Sequence, residues 1–340
     1  MKLITLFAGL AGLAGIAAIP AATDIAFKPK ESTTLDKEYS LKLDFALDSM
    51  VVTVNGEEMD PAAMGMDLDE ATLEMSMNLA FSDEYVSMDG SKVKKLKRTF
   101  HSGSAEFEAG SGESDKKDMS ELEDETVIFN WNEEKGTYEI KDEEGEDAKE
   151  ELQVMSIDTD LRVFLPKAGV EVDESWTVGG KELFSVLIPG IDLDKAARLA
   201  DEKAAEEGDV PFTPSGMLKY LDEMGKVECT YKGAREVDGV TLQVIALKPE
   251  IEKSIDLTDL LSGIIEKQAP GQEIEVNLTV TLEGTGNGEL LWDAEAGHFR
   301  KYDLEMQLST LVEANGGAQG MTGAVEVEAT TNLVYGFTAK

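Results

Sequence analysis

Long stretches of the chain alternate between apolar and polar residues, and this alternation constrains the fold more than any other feature of the sequence. Apolar side chains dominate every second position of the segments 73–81, 274–282 and 325–333. Because successive side chains of a β-strand point to opposite faces, each segment predicts a strand with one apolar and one polar face. Such strands are typical of antiparallel sheets that bury one face and expose the other.

Residues that suit tight turns separate the alternating segments. Asn55-Gly56, Asp89-Gly90 and Asp238-Gly239 tolerate the positive φ angles of two-residue hairpin turns. Segments 131–136 and 292–297 share a second pattern, in which a tryptophan ends a strand and a glycine closes the turn. Convergence on a favourable turn explains this likeness, and an internal duplication is the alternative. Strands that are neighbours in sequence are therefore expected to pair as hairpins.

Helical patterns occupy only the middle of the chain. Segments 194–207 and 213–224 are rich in helix-forming residues, and Asp256 is placed to cap an apolar-striped helix over 257–267. We therefore predict an α+β fold that is mostly antiparallel β. It consists of a large curved sheet or open half-barrel with a few helices packed on one face.

The first residues have the layout of a secretory signal peptide. Lys2 precedes an apolar run over 3–19, and Pro20-Ala21-Ala22 provides the small residues of a cleavage site. We predict a signal peptide over 1–22 and an exported protein, periplasmic or extracellular. The run approaches the roughly 17–25 residues that span a bilayer, so retention as an anchor is the alternative to cleavage. No cysteine lies near the cleavage site, so a lipoprotein is not expected.

Composition divides the rest of the chain into one body and two loops. Residues 23–340 are expected to form a single soluble β-rich domain, or alternatively two sheet halves over 23–160 and 161–340. Glycine, serine and acidic residues dominate 102–123, and acidic residues dominate 142–151. Because such segments bury little apolar surface, both are predicted to be flexible acidic loops.

The charge balance excludes several classes of partner. Sixty-nine acidic residues oppose 31 basic residues, and the net charge is −38. Nucleic acids and anionic membranes are bound by clustered lysine and arginine, so neither is an expected partner. No segment after the leader is predicted to span a membrane. The acidic surface instead favours divalent cations or basic partners, or it keeps the protein soluble in a saline medium.

Residues that carry acid–base or nucleophilic catalysis are scarce. The two histidines, His101 and His298, have no nucleophile motif beside them, and phosphate-loop, zinc-protease and dinucleotide motifs are missing from the sequence. The single cysteine, Cys229, alternates with Val227 and Tyr231 and is predicted to be a buried small hydrophobe. We expect a non-enzymatic protein with no catalytic residues, no cofactor and no defined metal site.

Seven methionines lie between positions 50 and 88. Met75 and Met77 lie on the apolar face of a predicted strand, which indicates core packing by adaptable side chains. Thioethers also bind Cu(I) outside cells, so a copper site formed by the predicted loop residues Met59, Met64 and Met66 is the alternative.

One basic run, 92–98, lies in this acidic chain. In a strand its charges divide between the two faces, which predicts a solvated edge strand that resists pairing with other chains. Contact with the acidic loops is a second interpretation, and a patch for an anionic polymer is a third.

Residues 165–177 (Leu-Pro-Lys-Ala-Gly-Val-Glu-Val-Asp-Glu-Ser-Trp-Thr) carry a partial resemblance to known proteins. The phrase resembles one in uncharacterised secreted bacterial β-sheet proteins, where a proline leads through Val-x-Val-Gly-Asp-x-Trp into a strand. Here Asp173-Glu174 replaces the Gly-Asp pair. Segments 231–239 and 286–293 are similar to the same group, so the resemblance covers about residues 160–340. It implies an open curved sheet with helices on one face, loosely similar to the lipoprotein-carrier architecture, and no catalytic residue.

Two functions from different classes follow from these features. In the first, the sheet and helices enclose an apolar groove that binds a lipid or another hydrophobic ligand, since ligand sites favour concave apolar surfaces. The residues predicted to line the groove are Leu73, Met75, Met77, Leu79 and Phe81. In the second, the protein is a structural or interaction component of the cell envelope or extracellular matrix, and its acidic surface binds cations or basic partners.

Overall fold

The alternating segments of the sequence form the strands of one open antiparallel sheet. The computed structural model describes residues 22–64, 68, 71–110, 112, 114–207, 214–221, 223–268, 274–318 and 321–340, so the predicted signal peptide lies outside the described residues except for Ala22. The strands are β1 (Thr33–Val54), β2 (Glu57–Met59), β3 (Thr72–Asp89), β4 (Lys92–Ala109), β5 (Ser114–Asp118), β6 (Thr126–Asn132), β7 (Thr137–Lys141), β8 (Ser175–Gly179), β9 (Gly225–Val237), β10 (Val240–Asp256), β11 (Ile274–Asp293), β12 (His298–Ala318) and β13 (Met321–Ala339).

The strand order of the sheet is β7-β6-β4-β3-β1-β13-β12-β11-β10-β9-β8, with β2 beside β1 and β5 beside β4. Most neighbours are strands that are consecutive in the sequence, and the predicted turn at Asn55-Gly56 has positive φ angles of 51° and 83°. β1 pairs with β13 from Lys37 to Val54, so the first and last strands of the chain share one ladder. The prediction of an α+β fold with a mostly antiparallel, open sheet is confirmed.

Four α-helices occur within the described ranges: α1 (Gly180–Leu187), α2 (Leu193–Glu207), α3 (Pro214–Leu221) and α4 (Thr258–Gln268). The last three correspond to the predicted helices. Asp256 caps α4 as expected, because its Oδ1 accepts a hydrogen bond from the Thr258 backbone N–H at 2.9 Å. α1 was not predicted, because it is short and follows directly from the glycine pair that ends β8.

The core lies on one face of the sheet, at the end that contains Thr33, Lys92 and Ala339, which we call the near end. The residues 142–172, which we call the strap, cross this inner face together with α1. Phe164 of the strap packs on Tyr302 with ring centroids 5.6 Å apart. At the end of α1, the Leu187 carbonyl accepts a hydrogen bond from the Tyr39 hydroxyl at 2.6 Å. Aromatic side chains of the sheet therefore contact the strap and α1, which together cover the core.

The structure corrects the flexible loop predicted over 102–123. β4 continues to Ala109 along the full length of β3, and Ser114–Asp118 then returns along β4 as β5. The Gly- and Ser-rich composition is typical of loops, but the segment continues a strand in which Ala105 is buried on the inner face. By contrast, segment 142–151 contains no strand or α-helix, as predicted for a loop.

The basic run 92–98 does not form an edge strand, so that prediction is wrong. β4 pairs with β3 on one side and with β6 on the other. Lys97 Nζ lies 2.6 Å from Glu143 Oε1 of the acidic segment 142–151, and Lys94 pairs with Glu133. Contact with acidic residues of the neighbouring turns is therefore the interpretation that the structure supports.

A buried network of four charged side chains ties the strap to the sheet. Lys37 of β1 lies 2.9 Å from Asp83 of β3 and 2.8 Å from Asp160 of the strap. Arg98 of β4 lies 2.7 Å from Asp83 and donates to the strap carbonyl of Ser156 at 3.0 Å. All four charged side chains are at most 1% exposed. Two positive and two negative groups thus balance inside the core, and the network joins three strands to the strap.

The same contacts set the ionisation of the buried carboxylate. Burial raises the pKa of Asp83, but the charges of Arg98 and Lys37 outweigh burial and hold this pKa well below its usual value. Tyr85, whose hydroxyl donates to Asp160, has its pKa raised by burial and by the two neighbouring carboxylates. Asp83 is therefore a carboxylate at every ordinary pH, and Tyr85 stays protonated.

Replacing Lys37 with methionine is expected to reduce the free energy of unfolding by about 3–5 kcal/mol, because Asp83 and Asp160 then lose a buried partner. Lys42→Met is the matched control on the same strand, since the Lys42 side chain is 55% exposed and pairs only at the surface. That variant should unfold at nearly the urea concentration of the wild type. Equal urea midpoints for the two variants would contradict a structural role for the network.

Acid is expected to destabilise the protein through Asp83. The folded-state pKa of Asp83 is depressed, so its contribution is complete above the ordinary aspartate pKa of about 3.9 and is lost as the pH falls toward the lower folded value. Urea titrations in about 1 M salt, where surface charges are screened within ~3 Å, isolate this effect. The free energy of unfolding should decline from about pH 5 to about pH 2. A flat or rising profile would contradict the assignment.

Candidate ligand groove

The inner face of the sheet stays apolar beyond the strap. On β1, Leu35, Tyr39 and Leu41 are buried, whereas Leu43 and Phe45 are only half-buried although they lie on the same face. The same change occurs along β13, where Leu333 is buried and Val327 and Val325 are half-buried. Apolar surface that the strap does not cover therefore extends toward the opposite end of the sheet, which contains Val54, Ile274 and Met321 and which we call the far end.

A groove of about 470 Å³ lies on this uncovered surface. Four adjacent strands (β1, β13, β12 and β11) form its floor, and α4 forms one wall with Leu261. Its apolar lining residues are Val52, Val54, Leu261, Ile274, Val276, Ala314 and Val325. The volume falls within the roughly 300–1,000 Å³ of small-molecule sites, and the mostly apolar lining is also typical of them.

A pair of glycines gives the groove its depth. Gly316 of β12 and Gly323 of β13 are direct cross-strand partners at the centre of the lining. A Cβ atom at position 316 would lie 2.6 Å from the Glu275 carbonyl oxygen and 3.1 Å from Val276 Cγ1, which is closer than packed atoms approach. Only glycine fits at position 316, so the floor carries no side chain at the point where Gly316 and Gly323 pair.

Backbone and side-chain hydrogen bonds fix α4 beside the groove. The Leu257 N–H donates to the Leu278 carbonyl at 2.8 Å, and the Leu278 N–H donates to Thr258 Oγ1 at 3.0 Å. These two bonds join the first turn of α4 to β11. They hold Leu261, one turn later, against the groove.

The residues predicted to bind a ligand lie on the inner face of β3 but outside this groove. Phe81 is 1% exposed, and Met75, Met77 and Leu79 pack against the core, as the core interpretation of these methionines predicts. Leu73 is 38% exposed near the far end. β3 begins opposite Ala46, whereas β1 continues to Val54, so the groove lies past the end of β3. The structure does not bring the predicted set together with the groove lining.

Sequence reasoning missed the groove residues although their signal was present. Segments 274–282 and 325–333 show the same alternation as 73–81, and both lead into the groove. Gly316 and Gly317 interrupt the alternation of apolar and polar residues, although β12 continues through both of them to Ala318.

Neither histidine lies in an arrangement that activates a nucleophile. His298 is buried, its Nδ1 lies 2.7 Å from the Phe299 carbonyl oxygen, and burial lowers its pKa. On the polar face, Ser82 contacts His101 Nε2 and donates its proton to Asp36 Oδ1 at 2.6 Å. The Asp36 carboxylate therefore accepts a hydrogen bond from Ser82, and not from His101 as in a catalytic triad. The strand ladders around Ser82 use the backbone N–H groups that an oxyanion would need.

Metal-binding side chains are not grouped in the described part of the chain. No three His, Cys, Asp or Glu side chains among these residues converge on a common point. Of the methionines considered for copper, Met59 is an exposed residue of β2 and Met66 lies outside the described residues. None of the helices in the described ranges is long and apolar enough to cross a membrane.

Comparison with known proteins adds no relationship. No family model and no curated protein matches the chain. One solved chain, described as "Asymmetric conductivity of engineered proteins", aligns with 91% of this chain and 100% of its own length at 6% identity and a TM-score of 0.15. Similarity at that level carries no structural conclusion, so the resemblance noted over 160–340 stays a prediction.

Cys229 is expected to be inert in the folded protein. It is fully buried between Val227 and Tyr231 on the inner face, as predicted, and burial raises the pKa of its thiol to about 12. A chromogenic disulfide reagent, which reacts with thiolates, should detect no thiol in the native chain at about pH 8. It should detect one thiol per chain after unfolding in urea. Rapid labelling of the native chain would contradict this burial.

Proposed function

We propose that the protein is a non-enzymatic binder of a lipid or another hydrophobic small molecule, and that the groove beside α4 is its binding site. The observation that carries this proposal is the continuation of the apolar inner face past the strap into a groove lined by valine, leucine and isoleucine. A covered core would bury these side chains, whereas here they meet solvent.

The driving force for binding is the removal of this apolar surface from water. Each Å² of apolar surface removed contributes roughly 25 cal/mol, before the cost of restricting the ligand. Val54 is 41% exposed, so a bound alkyl group gains contact with it and with the strands beside it. The groove floor is formed by paired strands, so it is already shaped before a ligand arrives.

The proposed place of action is outside the cytoplasm. The predicted signal peptide over 1–22 supports export, and the single buried cysteine needs no disulfide partner there. An exported carrier or sensor of a hydrophobic molecule fits both features.

A second candidate function is an interaction role for the acidic outer face. Glu313 of β12 is the direct cross-strand partner of Glu326 of β13. Like charges that face each other across strands are destabilising. Divalent cations or a basic partner would relieve this repulsion, so thermal stability that rises with added calcium or magnesium would support this role.

The groove proposal predicts that the chain carries a ligand. Native mass spectrometry of the protein, purified from an exporting host without detergent, should show an adduct of lipid-like mass that organic extraction removes. Loading of the stripped chain with a hydrophobic fluorescent probe should then be saturable. A chain that shows no adduct and gives no saturable probe signal would contradict the proposal.

Two variants of β13 locate the binding site. Val325→Asp places a charge in the groove and should weaken probe binding by at least about tenfold, because the ligand would have to desolvate a carboxylate. Val334→Asp adds the same charge to the same strand on the outer face, where Val334 is 47% exposed, and should leave binding unchanged. Equal affinities for the two variants would place any bound ligand elsewhere.

A further inference from the structure

We propose that the groove is the open end of a longer apolar surface, and that its ligand is a long, uncharged chain molecule that lies along the strands. We call this surface the lane: it is the inner face of β11, β12, β13 and β1 between the groove and the buried core. This inference rests on the proposed function and names its ligand class. Two observations carry it: the length of the lane and the confinement of charge to the opposite face of the sheet.

The lane consists of five rows of cross-strand neighbours. The first row, in the groove, contains Val52 and Val325, and the fifth row, at the edge of the core, contains Leu43 and Leu333. The rows continue through alternate positions of 306–314 on β12 and 278–286 on β11. Eight residues of β13 separate the first row from the fifth, so the lane is about 27 Å long.

Exposure decreases along the lane from the groove toward the core. Val54, just beyond the first row, is 41% exposed, whereas Leu333 in the fifth row is buried. Between them, Met50 and Phe45 of β1 are half-buried, so the middle rows keep apolar surface that a ligand can cover. A chain bound in the groove therefore gains further apolar contact by extending along the strands, since each added methylene group is removed from water.

Charge is confined to the other face of these strands. Lysine and arginine are missing from three long segments of the sequence, 43–91, 268–299 and 302–339, which contain all four strand segments of the lane. The acidic residues of those strand segments alternate with lane residues and therefore lie on the outer face. Asp48, at the bulge of β1, also lies there, because it accepts a hydrogen bond from Thr330 Oγ1 at 2.7 Å. The only polar side-chain atoms of the lane are the hydroxyls of Thr310 and Thr331.

An uncharged ligand follows from this distribution. An ionised head group within the lane would lose its water and meet no opposite charge, which is costly. At the far end, the four strands offer no cation to an anionic head, and the net charge of −38 repels it. A cationic head there finds the carboxylates of these strands on the opposite face of the sheet. A long-chain alcohol, ester or hydrocarbon meets none of these costs.

The first test compares three ligands that share one chain and differ in the head: dodecanol, dodecanoate and dodecyltrimethylammonium. Each displaces the hydrophobic fluorescent probe from the stripped full chain at about pH 8, where the carboxylate is ionised, and below its micelle concentration. Dodecanol should bind at least about tenfold more tightly than either charged ligand, because it carries no charge to desolvate.

The second test measures the length of the bound chain with octanol and hexadecanol, each delivered from the same cyclodextrin. Hexadecanol should bind at least about a hundredfold more tightly, because its additional methylene groups are buried along the lane. Thr310→Asp places a charge in the third row, outside the groove lining, with little change in side-chain volume. It should weaken hexadecanol binding at least about tenfold and leave octanol binding unchanged. Ser309→Asp, the adjacent and exposed position on the outer face, is the matched control and should change neither.

The outcomes separate this inference from the proposed function. Binding of dodecanoate or dodecyltrimethylammonium as tightly as dodecanol would overturn the uncharged ligand class but leave the groove as a binding site. An unchanged hexadecanol affinity in Thr310→Asp, or an equal loss for octanol and hexadecanol, would overturn the extension along the lane. Absence of displacement by every ligand, together with no effect of Val325→Asp on the fluorescent probe, would overturn the proposed function itself.

Discussion

The buried network of Lys37, Asp83, Arg98 and Asp160 is the interaction on which the remaining architecture depends. The strap has little regular structure, so it cannot hold itself against the sheet through backbone ladders. Buried ion pairs attach the strap to the sheet instead. Removal of any one of the four charges leaves an opposite charge without a partner in a medium of low dielectric constant. The aromatic core is buried where the strap covers the inner face, and the inner face is more exposed where the strap ends.

The groove arises from the unequal lengths of the strands. β1, β11, β12 and β13 extend to the far end, while β3 stops short of it and the strap never reaches it. Strand extension without a matching cover leaves the apolar side chains of the inner face half-buried at this end, whereas the same face is buried under the strap. α4 then converts a flat patch into a groove, because two hydrogen bonds to Leu278 place it over the end of β11.

Local patterns in the sequence predict the strands and most of the helices of this fold. They do not predict how far each strand extends past its neighbours in the sheet. Alternation identifies the long strands, and capping and composition identify three helices. The same alternation appears in 73–81 and 274–282, so it could not show that the first segment packs on the core while the second lines a groove. That distinction depends on register between distant strands, such as β1 with β13. Lys37 illustrates the same limit, since it occupies an apolar-face position and its partners lie 46 and 123 residues away.

The scarcity of basic residues at the far end also determines how the chain is degraded. A protease that cuts after lysine or arginine finds no bond to cleave within 43–91, 268–299 or 302–339, even when these strands separate. It would release most of the β12–β13 hairpin as the single piece 302–340. Such an enzyme must begin outside these segments, for instance in the basic run 92–98, in α2 or in β10. Fraying of the groove strands within these three segments therefore offers no cleavage site to trypsin-like proteases.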